Sequence, residues 1–443
     1  MHDTVIIHIP LNKEFVKRDG SLYSIIGEVA HYGVRAVSDI KYDLETDTMK
    51  VHSELKHPFE SLVRYVEDAE EFENLPSSTQ GMAMKFYSHR VANTLPYVAL
   101  NASYKFIQGH NVYGGDYIAP LIAEMLRTLQ HVYPNFYAFL DVQNASISRI
   151  DCTYSASLDN AALVPTVLKF LSNVSNGHRK KDTDRRDFYN TVYWGGRTSN
   201  WGNACAYGKH NEIMETVNEL QKSANKGNLD AKKKLSTIFT PELQEFSSKL
   251  LRLEARTKKR TLEKLLIPTN VWDFIRYQDA HPFVLRRIWR YWFDPIFKAF
   301  KGEIMTTAVD DSKIRTLCRE KLVTTTKSGK LSYTRAENAF SFYQLIKSNG
   351  WENMKQRFSS NPRTFQINVK SLVDIGIPKA HLQNLVQDMG HEVPLIRIIN
   401  VDFDNQCPQG YQPPKIAVDN IIEFVAINDK DINRKFTQLR LIA

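Results

Sequence analysis

Apolar and polar positions alternate with a period of two in several short runs of this chain, the signature of strands with two unlike faces. The first is TVIIHI at residues 4–9. Strand-like pieces follow at YSIIGEV, VRAVSDIKYDL and MKVHSEL within 21–60, and at MAMKFYSHR and YVALNASYKFI within 82–107. SISRIDCTYSA at 146–156 alternates cleanly, with Ile150, Cys152 and Tyr154 facing one way and Arg149, Asp151 and Thr153 the other. In KLLRLEARTKKR at 249–260, Leu251, Leu253 and Ala255 oppose Arg252, Glu254, Arg256 and Lys258. The pattern switches to helical spacing at 117–133, 160–174 and 210–235, and again over 261–300, 311–323 and 332–349. Residues 364–388 read as helix, turn at Gly376 and Pro378, then helix, a loose helix-turn-helix. The last forty residues read as mixed strand and coil. The expected class is α+β: an antiparallel sheet covered by helices in residues 1–260, then a mostly helical C-terminal domain over 261–443, where aromatic-rich helices begin. Trp272, Trp289, Trp292, Phe293 and Phe297 read as core in preference to a base-stacking surface.

One stretch organises the rest. Residues 191–210, TVYWGGRTSNWGNACAYGKH, read as two short strands joined by a Gly/Ser/Asn turn. On the second strand Cys205, Tyr207 and Lys209 share a face, the tyrosine and lysine about 7 Å apart. A nearby ammonium favours a phenolate, which is what a tyrosine nucleophile needs. The bland alternative is a half-buried packing tyrosine, one of 20 in the chain. Asp151 and Glu254 are carboxylates in mid-strand, where acids are depleted. Each sits beside arginine, so a surface ion pair and a metal-binding carboxylate are both open readings.

A net charge of +9 suggests a polyanionic partner, nucleic acid before membrane. The basic run HRKKDTDRRD at 178–187, with Arg179, Lys180, Lys181, Arg185 and Arg186, is a candidate phosphate contact or a solvated loop. Arg286, Arg287 and Arg290 form a candidate basic helix face. The four cysteines, Cys152, Cys205, Cys318 and Cys407, have no zinc spacing and fit a reducing cytoplasm. No apolar run is long enough to span a membrane, and MHDTVIIHIP reads as a strand with no signal-peptide pattern.

HPFES (57–61), QGHNVYG (108–114), SRIDCTYSA (148–156), VSNG (174–177), AYGKH (206–210), LLRLEARTKKR (250–260), IPTNVWDFIRY (267–277), FKAFKGEIM (297–305) and PLIRIINVDF (394–403) follow one another over nearly the whole length. With them the chain resembles the replication initiators of filamentous bacteriophages, the gene II type nicking-joining endonucleases. The resemblance implies that Tyr207, in Ala206-Tyr207-Gly208-Lys209-His210, attacks the plus strand of replicative-form DNA at the origin. A 5′-phosphotyrosine link and a free 3′-OH would result. Rolling-circle synthesis and rejoining of the unit-length circle would follow. Lys209 would favour the phenolate or touch the phosphate. Mg²⁺ or Mn²⁺ would be held by Asp151 and Glu254. His110 or His57 would be a third ligand, each with a turn-stabilising role as the alternative, since no His-x-His motif is present. Double-stranded origin DNA, the displaced single strand, and host helicase, polymerase and single-strand-binding protein are the implied partners, in the host bacterial cytoplasm. The number of copies on the DNA stays open. Met305 sits where the family places an internal start, giving a product 305–443. The competing classes are a non-enzymatic DNA-binding or copy-control protein and, more weakly, an RNA-binding protein.

Overall fold

The computed structural model describes residues 1–20, 22–25, 40–43, 48–51, 73–75, 82–87, 94–179, 190–196, 198–301, 311–385 and 399–416. Eight strands form one sheet: β1 (His2–Pro10), β2 (Glu73–Leu75), β3 (Met82–Tyr87), β4 (Tyr97–Ser103), β5 (Ser146–Ser157), β6 (Thr191–Trp194), β7 (Gly202–Gly208) and β8 (Leu250–Lys258). The order across the sheet is β6-β7-β8-β5-β1-β4-β3-β2, and every pairing is antiparallel. Three segments far apart in sequence, near 151, 205 and 254, therefore become neighbours. The fold is α+β, as the alternation predicts.

One face of the sheet is apolar because every second residue of the central strands is. Val5, Ile7, Ile9, Ile147, Leu251, Leu253 and Ala255 are buried there. Helices α1 (Ala119–Val132), α2 (Leu163–Asn173), α3 (Lys209–Asn225), α4 (Val271–Ala280) and α5 (Val284–Phe297) contribute to the same core. Trp289 of α5 donates its indole N–H to the Leu253 carbonyl, and Trp292 donates to Thr257. A buried indole N–H without an acceptor would be costly, so these bonds fix how α5 lies on the strands. Trp272, Trp289, Trp292 and Phe293 are thus core, as expected, with Phe297 partly buried against it. The composition change at residue 261 is not a packing boundary, however. α4 and α5 share the sheet's core, and a second core begins only at Ile314. That core is built by α6 (Asp311–Leu322), α7 (Thr334–Asn349), α8 (Trp351–Arg357) and α9 (Pro362–Asp374), so the C-terminal part is mostly helical.

The expected helix-turn-helix is present as α9, a turn at Gly376 (φ 106°), and α10 (Lys379–Asn384). Its second helix does not face outward as a reading helix would. Ala380 and Leu382 are fully buried, and Asn384 and Gln383 hydrogen-bond to Asn173 and Ser175 beside α2. Those contacts dock the helical part onto the sheet domain. Residues 399–416 then cross the sheet domain without forming a strand. Gln406 accepts from the Ser155 N–H at 2.7 Å and donates to its carbonyl at 2.9 Å. β1 pairs with β5 only as far as Cys152, so a side-chain amide here replaces the missing neighbour strand.

Candidate active site

The second face of the sheet carries polar side chains, and it is buried too. Asp151 is 1 %, Thr153 0 %, Arg252 0 % and Glu254 4 % exposed. Register places Tyr207 opposite Arg252, Cys205 opposite Glu254, and Arg256 opposite Asp151. Tyr193 lies opposite Cys205 on the same face. Gly202 (φ +115°) opens β7 because a Cβ there would collide with the Arg256 carbonyl. The unbroken pairing from Gly202 opposite Thr257 to Gly208 opposite Leu251 is the register that brings Tyr207 beside Glu254.

Tyr207 donates its hydroxyl to Glu254 Oε2 at 2.7 Å, and Arg256 Nε donates to Glu254 Oε1 at 2.6 Å. Burial pushes the Glu254 carboxyl up, but Arg256, the Tyr207 hydroxyl and Arg252 together hold it below the usual carboxylate range. Burial and the Glu254 charge push the Tyr207 phenol well above its ordinary value, against the pull of Arg252. The expectation that Lys209 favours the phenolate is therefore not realised in this geometry. Lys209 is the first residue of α3 and not the last of the strand, and its side chain is fully buried. Its Nζ donates to Asn111 Oδ1 at 2.7 Å and to Glu212 at 2.5 Å, while standing 5.9 Å from the centroid of the Tyr207 ring. Burial and Arg252 lower its ammonium to about 8.

Residues that the sequence did not single out tie this cluster together. Asp3, on β1, accepts from Asn111 at 2.8 Å and lies 3.5 Å from Arg252. Arg252 donates to the Asn111 carbonyl at 2.6 Å. Glu212 bridges Lys209 and Lys105. The only signals for these in the sequence were an acid near the start of a strand and the Gln108-Gly109-His110-Asn111 turn. Neither says what it will meet.

Arg149 grips Asp151 through both carboxylate oxygens, at 2.7 and 2.5 Å. Burial nonetheless raises the Asp151 carboxyl to about 6. The carboxylates are the right donor chemistry for Mg²⁺ or Mn²⁺. Yet Arg149 holds both oxygens of Asp151, while Arg256 and Tyr207 hold those of Glu254. Among the described residues no three His, Cys, Asp or Glu converge on one point. His110 does not join them. Gln108 and the Val112 N–H engage its ring and backbone, and its charged neighbours are Lys209, Arg252 and Lys105. Three cations beside the ring disfavour a fourth. His57 lies outside the described residues. The expected ligand set is thus not assembled by the residues seen here.

Of the expected phosphate contacts, Arg179 is a structural pin. It donates to the Tyr291 and Trp292 carbonyls and stacks 4.0 Å from the Trp292 ring centroid. Lys180, Lys181, Arg185 and Arg186 lie outside the described residues, as does Met305. Arg286 pairs with Asp404 at 2.8 Å. Arg287 and Arg290 are exposed on α5, where they border an open groove of about 540 Å³ with Phe283 and Tyr291. No described helix is long and apolar enough to cross a membrane.

Comparison with known proteins places the chain in a family. A family model for the N-terminal part of the gene II type replication-associated protein matches residues 1–280, and the model for its C-terminal part matches 325–417. The replication-associated protein of this type from Enterobacteria phage M13 is 35 % identical over 385 residues, 86 % of this chain and 88 % of that protein. Its counterpart from Salmonella phage IKe is 33 % identical over 442 residues, 97 % of this chain and all of that protein. No solved structure matches. Matched by both models and by relatives over most of its length, the chain belongs to the gene II type family of phage replication-associated proteins.

Proposed function

We propose that the protein is a filamentous-phage replication initiator that nicks the plus strand of replicative-form DNA at the origin, with Tyr207 as nucleophile. The observation that carries the reading is the hydroxyl of the half-buried Tyr207, hydrogen-bonded at 2.7 Å to a carboxylate that Arg256 fixes from its other oxygen. Packing alone gives no reason for a buried acid at that point. Arg149 and Arg256, each about 30 % exposed, border the same face and suit the charge of a phosphodiester.

Attack by Tyr207 in line with the 3′ oxygen leaves a 5′-phosphotyrosine and a free 3′-OH. The 3′-OH primes host polymerase. The phosphodiester's energy is kept in the tyrosyl ester, so rejoining needs no nucleotide cofactor. Arg287 and Arg290 supply backbone contacts to the duplex. Dependence on Mg²⁺ or Mn²⁺ is part of the proposal and is tested by chelation.

Protein, Mg²⁺ and supercoiled origin plasmid are mixed, stopped in detergent, and the adduct is mapped. The expected result is an open circle with protein attached through the peptide containing Tyr207. Tyr207→Phe keeps the ring and removes one oxygen, so it binds the origin and leaves the plasmid uncut. Tyr193 shares the face and lies under the Arg256 guanidinium, 5.8 Å away. An adduct on Tyr193, or full nicking by Tyr207→Phe, overturns the assignment. Origin binding without any cleavage returns the protein to the non-enzymatic class.

A further inference from the structure

We infer that Glu254 is the catalytic proton acceptor for Tyr207, and not a ligand whose task is to hold a metal ion. The inference rests on Tyr207 being the nucleophile.

Three features carry it. The hydroxyl of Tyr207 already points its proton at Glu254 Oε2, 2.7 Å away. The other oxygen of the same carboxylate is held by Arg256 Nε at 2.6 Å, so the acceptor is oriented by a third group. Nucleophile, base and orienter in series is the arrangement that activates a weak hydroxyl nucleophile. Finally, Lys209 is not available for the task. It is fully buried and bound to Asn111 and Glu212.

In the attack, the Tyr207 O–H bond breaks and its proton passes to the Glu254 carboxylate. The phenolic oxygen forms a bond to phosphorus, and the bond from phosphorus to the 3′ oxygen breaks. The leaving oxygen takes a proton from water and becomes the 3′-OH. Glu254 then returns its proton to solvent. Rejoining runs the same sequence backwards, with the protonated carboxyl giving its proton to the departing phenolate. The groups facing the carboxylate are Arg252 and Arg256 on its own strand, Cys205 and Tyr207 on β7, Arg149 and Asp151 on β5, and Asp3 on β1. The two arginines of β8 keep the acceptor ionised, and the proton passes to it as the phenolic oxygen bonds to phosphorus and becomes strongly acidic, not in the resting site.

Adduct formation is followed in a single turnover on supercoiled origin DNA, from about pH 6 to 9.5 and over a range of Mg²⁺, for wild type, Glu254→Gln and Glu254→Asp. If wild-type protein gives no adduct on Tyr207, the reading of the nucleophile fails, separately from the present inference. Given that adduct, Glu254→Gln should bind origin DNA normally and react about 10²–10⁴-fold more slowly near neutral pH. Its rate should climb about tenfold per pH unit as hydroxide replaces the missing acceptor, while the wild-type rate stays nearly flat. Glu254→Asp should recover part of the loss. Rescue of Glu254→Gln by added Mg²⁺ would assign the residue to a metal and overturn the inference. An unchanged pH profile in that variant would also overturn it. The wild-type protein gives an independent readout that needs no variant. Proton transfer in the attack step predicts a normal solvent deuterium isotope effect on adduct formation, and its absence overturns the inference as well.

Discussion

Ionisable side chains set the behaviour of this site residue by residue, and two acids, the buried Asp151 and the partly exposed Glu212, show opposite signs. Burial raises the folded-state value of Asp151 to about 6. Its ionised form is therefore a cost to folding at neutral pH, and stability is regained as pH falls from about 6 toward 3.8. Glu212 is held at about 2: burial raises its carboxyl, but Lys209 and Lys105 outweigh that. It contributes stability above 4.5 that is lost as pH falls toward 2. Urea midpoints measured against pH should separate the two. Asp151→Asn removes the gain as pH falls from about 6 toward 3.8, and Glu212→Gln flattens the loss below pH 4.5. A Glu212→Gln variant with an unchanged acid limb would show that Lys209 and Lys105 do not hold that carboxylate in solution.

At the scale of elements, two contacts decide how the helical part meets the sheet. Gln406 satisfies both backbone groups of Ser155, which have no neighbour strand beyond Cys152. Gln406→Ala leaves both unpaired in a buried place and should cost about 1–3 kcal/mol, read as a lower urea midpoint with unchanged slope. The same crossing segment brings Tyr411, whose hydroxyl donates to Gln108 at 2.6 Å. Gln108 in turn donates to the carbonyls of His110 and Tyr113, the turn that presents Asn111 to Lys209. Gln383 plays the docking role for α10 through Ser175. Gln383→Ala should speed amide hydrogen exchange at 173–176 and in α10 while leaving β5 and β8 protected. Equal protection in variant and wild type would mean that the apolar contacts of Ala380 and Leu382 dock the helix alone.

For the molecule as a whole, the net charge of +9 predicts strongly salt-dependent DNA binding. Arg287→Gln with Arg290→Gln should weaken origin and non-origin DNA alike, and should lower the log–log salt slope by about 0.9 for each phosphate contact removed. Arg286→Gln should change the slope less, because Asp404 already pairs that guanidinium. Affinity unchanged by the double substitution, across a salt titration, would remove the α5 face from the DNA surface.

The sequence by itself determined what depends on local pattern. Period-two alternation located β1, β4, β5, β7 and β8, and helical spacing located α1 and α5, because burial on one face forces those repeats. The motif around Tyr207, with the mid-strand acids Asp151 and Glu254, was also legible, since acids in strands stand out. What only tertiary structure decided was company. Strand order is not written in any one strand, so the sequence did not tell that β8 would lie between β7 and β5. Lys209 was expected to serve the phenol because it is two residues away, yet the chain turns into a helix there and Asn111 and Glu212 claim it. Arg179 reads as a phosphate contact until Tyr291 and Trp292, more than a hundred residues on, take up its guanidinium. Alternation put Arg252 on the polar face but did not pair it with Asp3 and Asn111, because a long-range hydrogen bond leaves no period in the sequence of either partner.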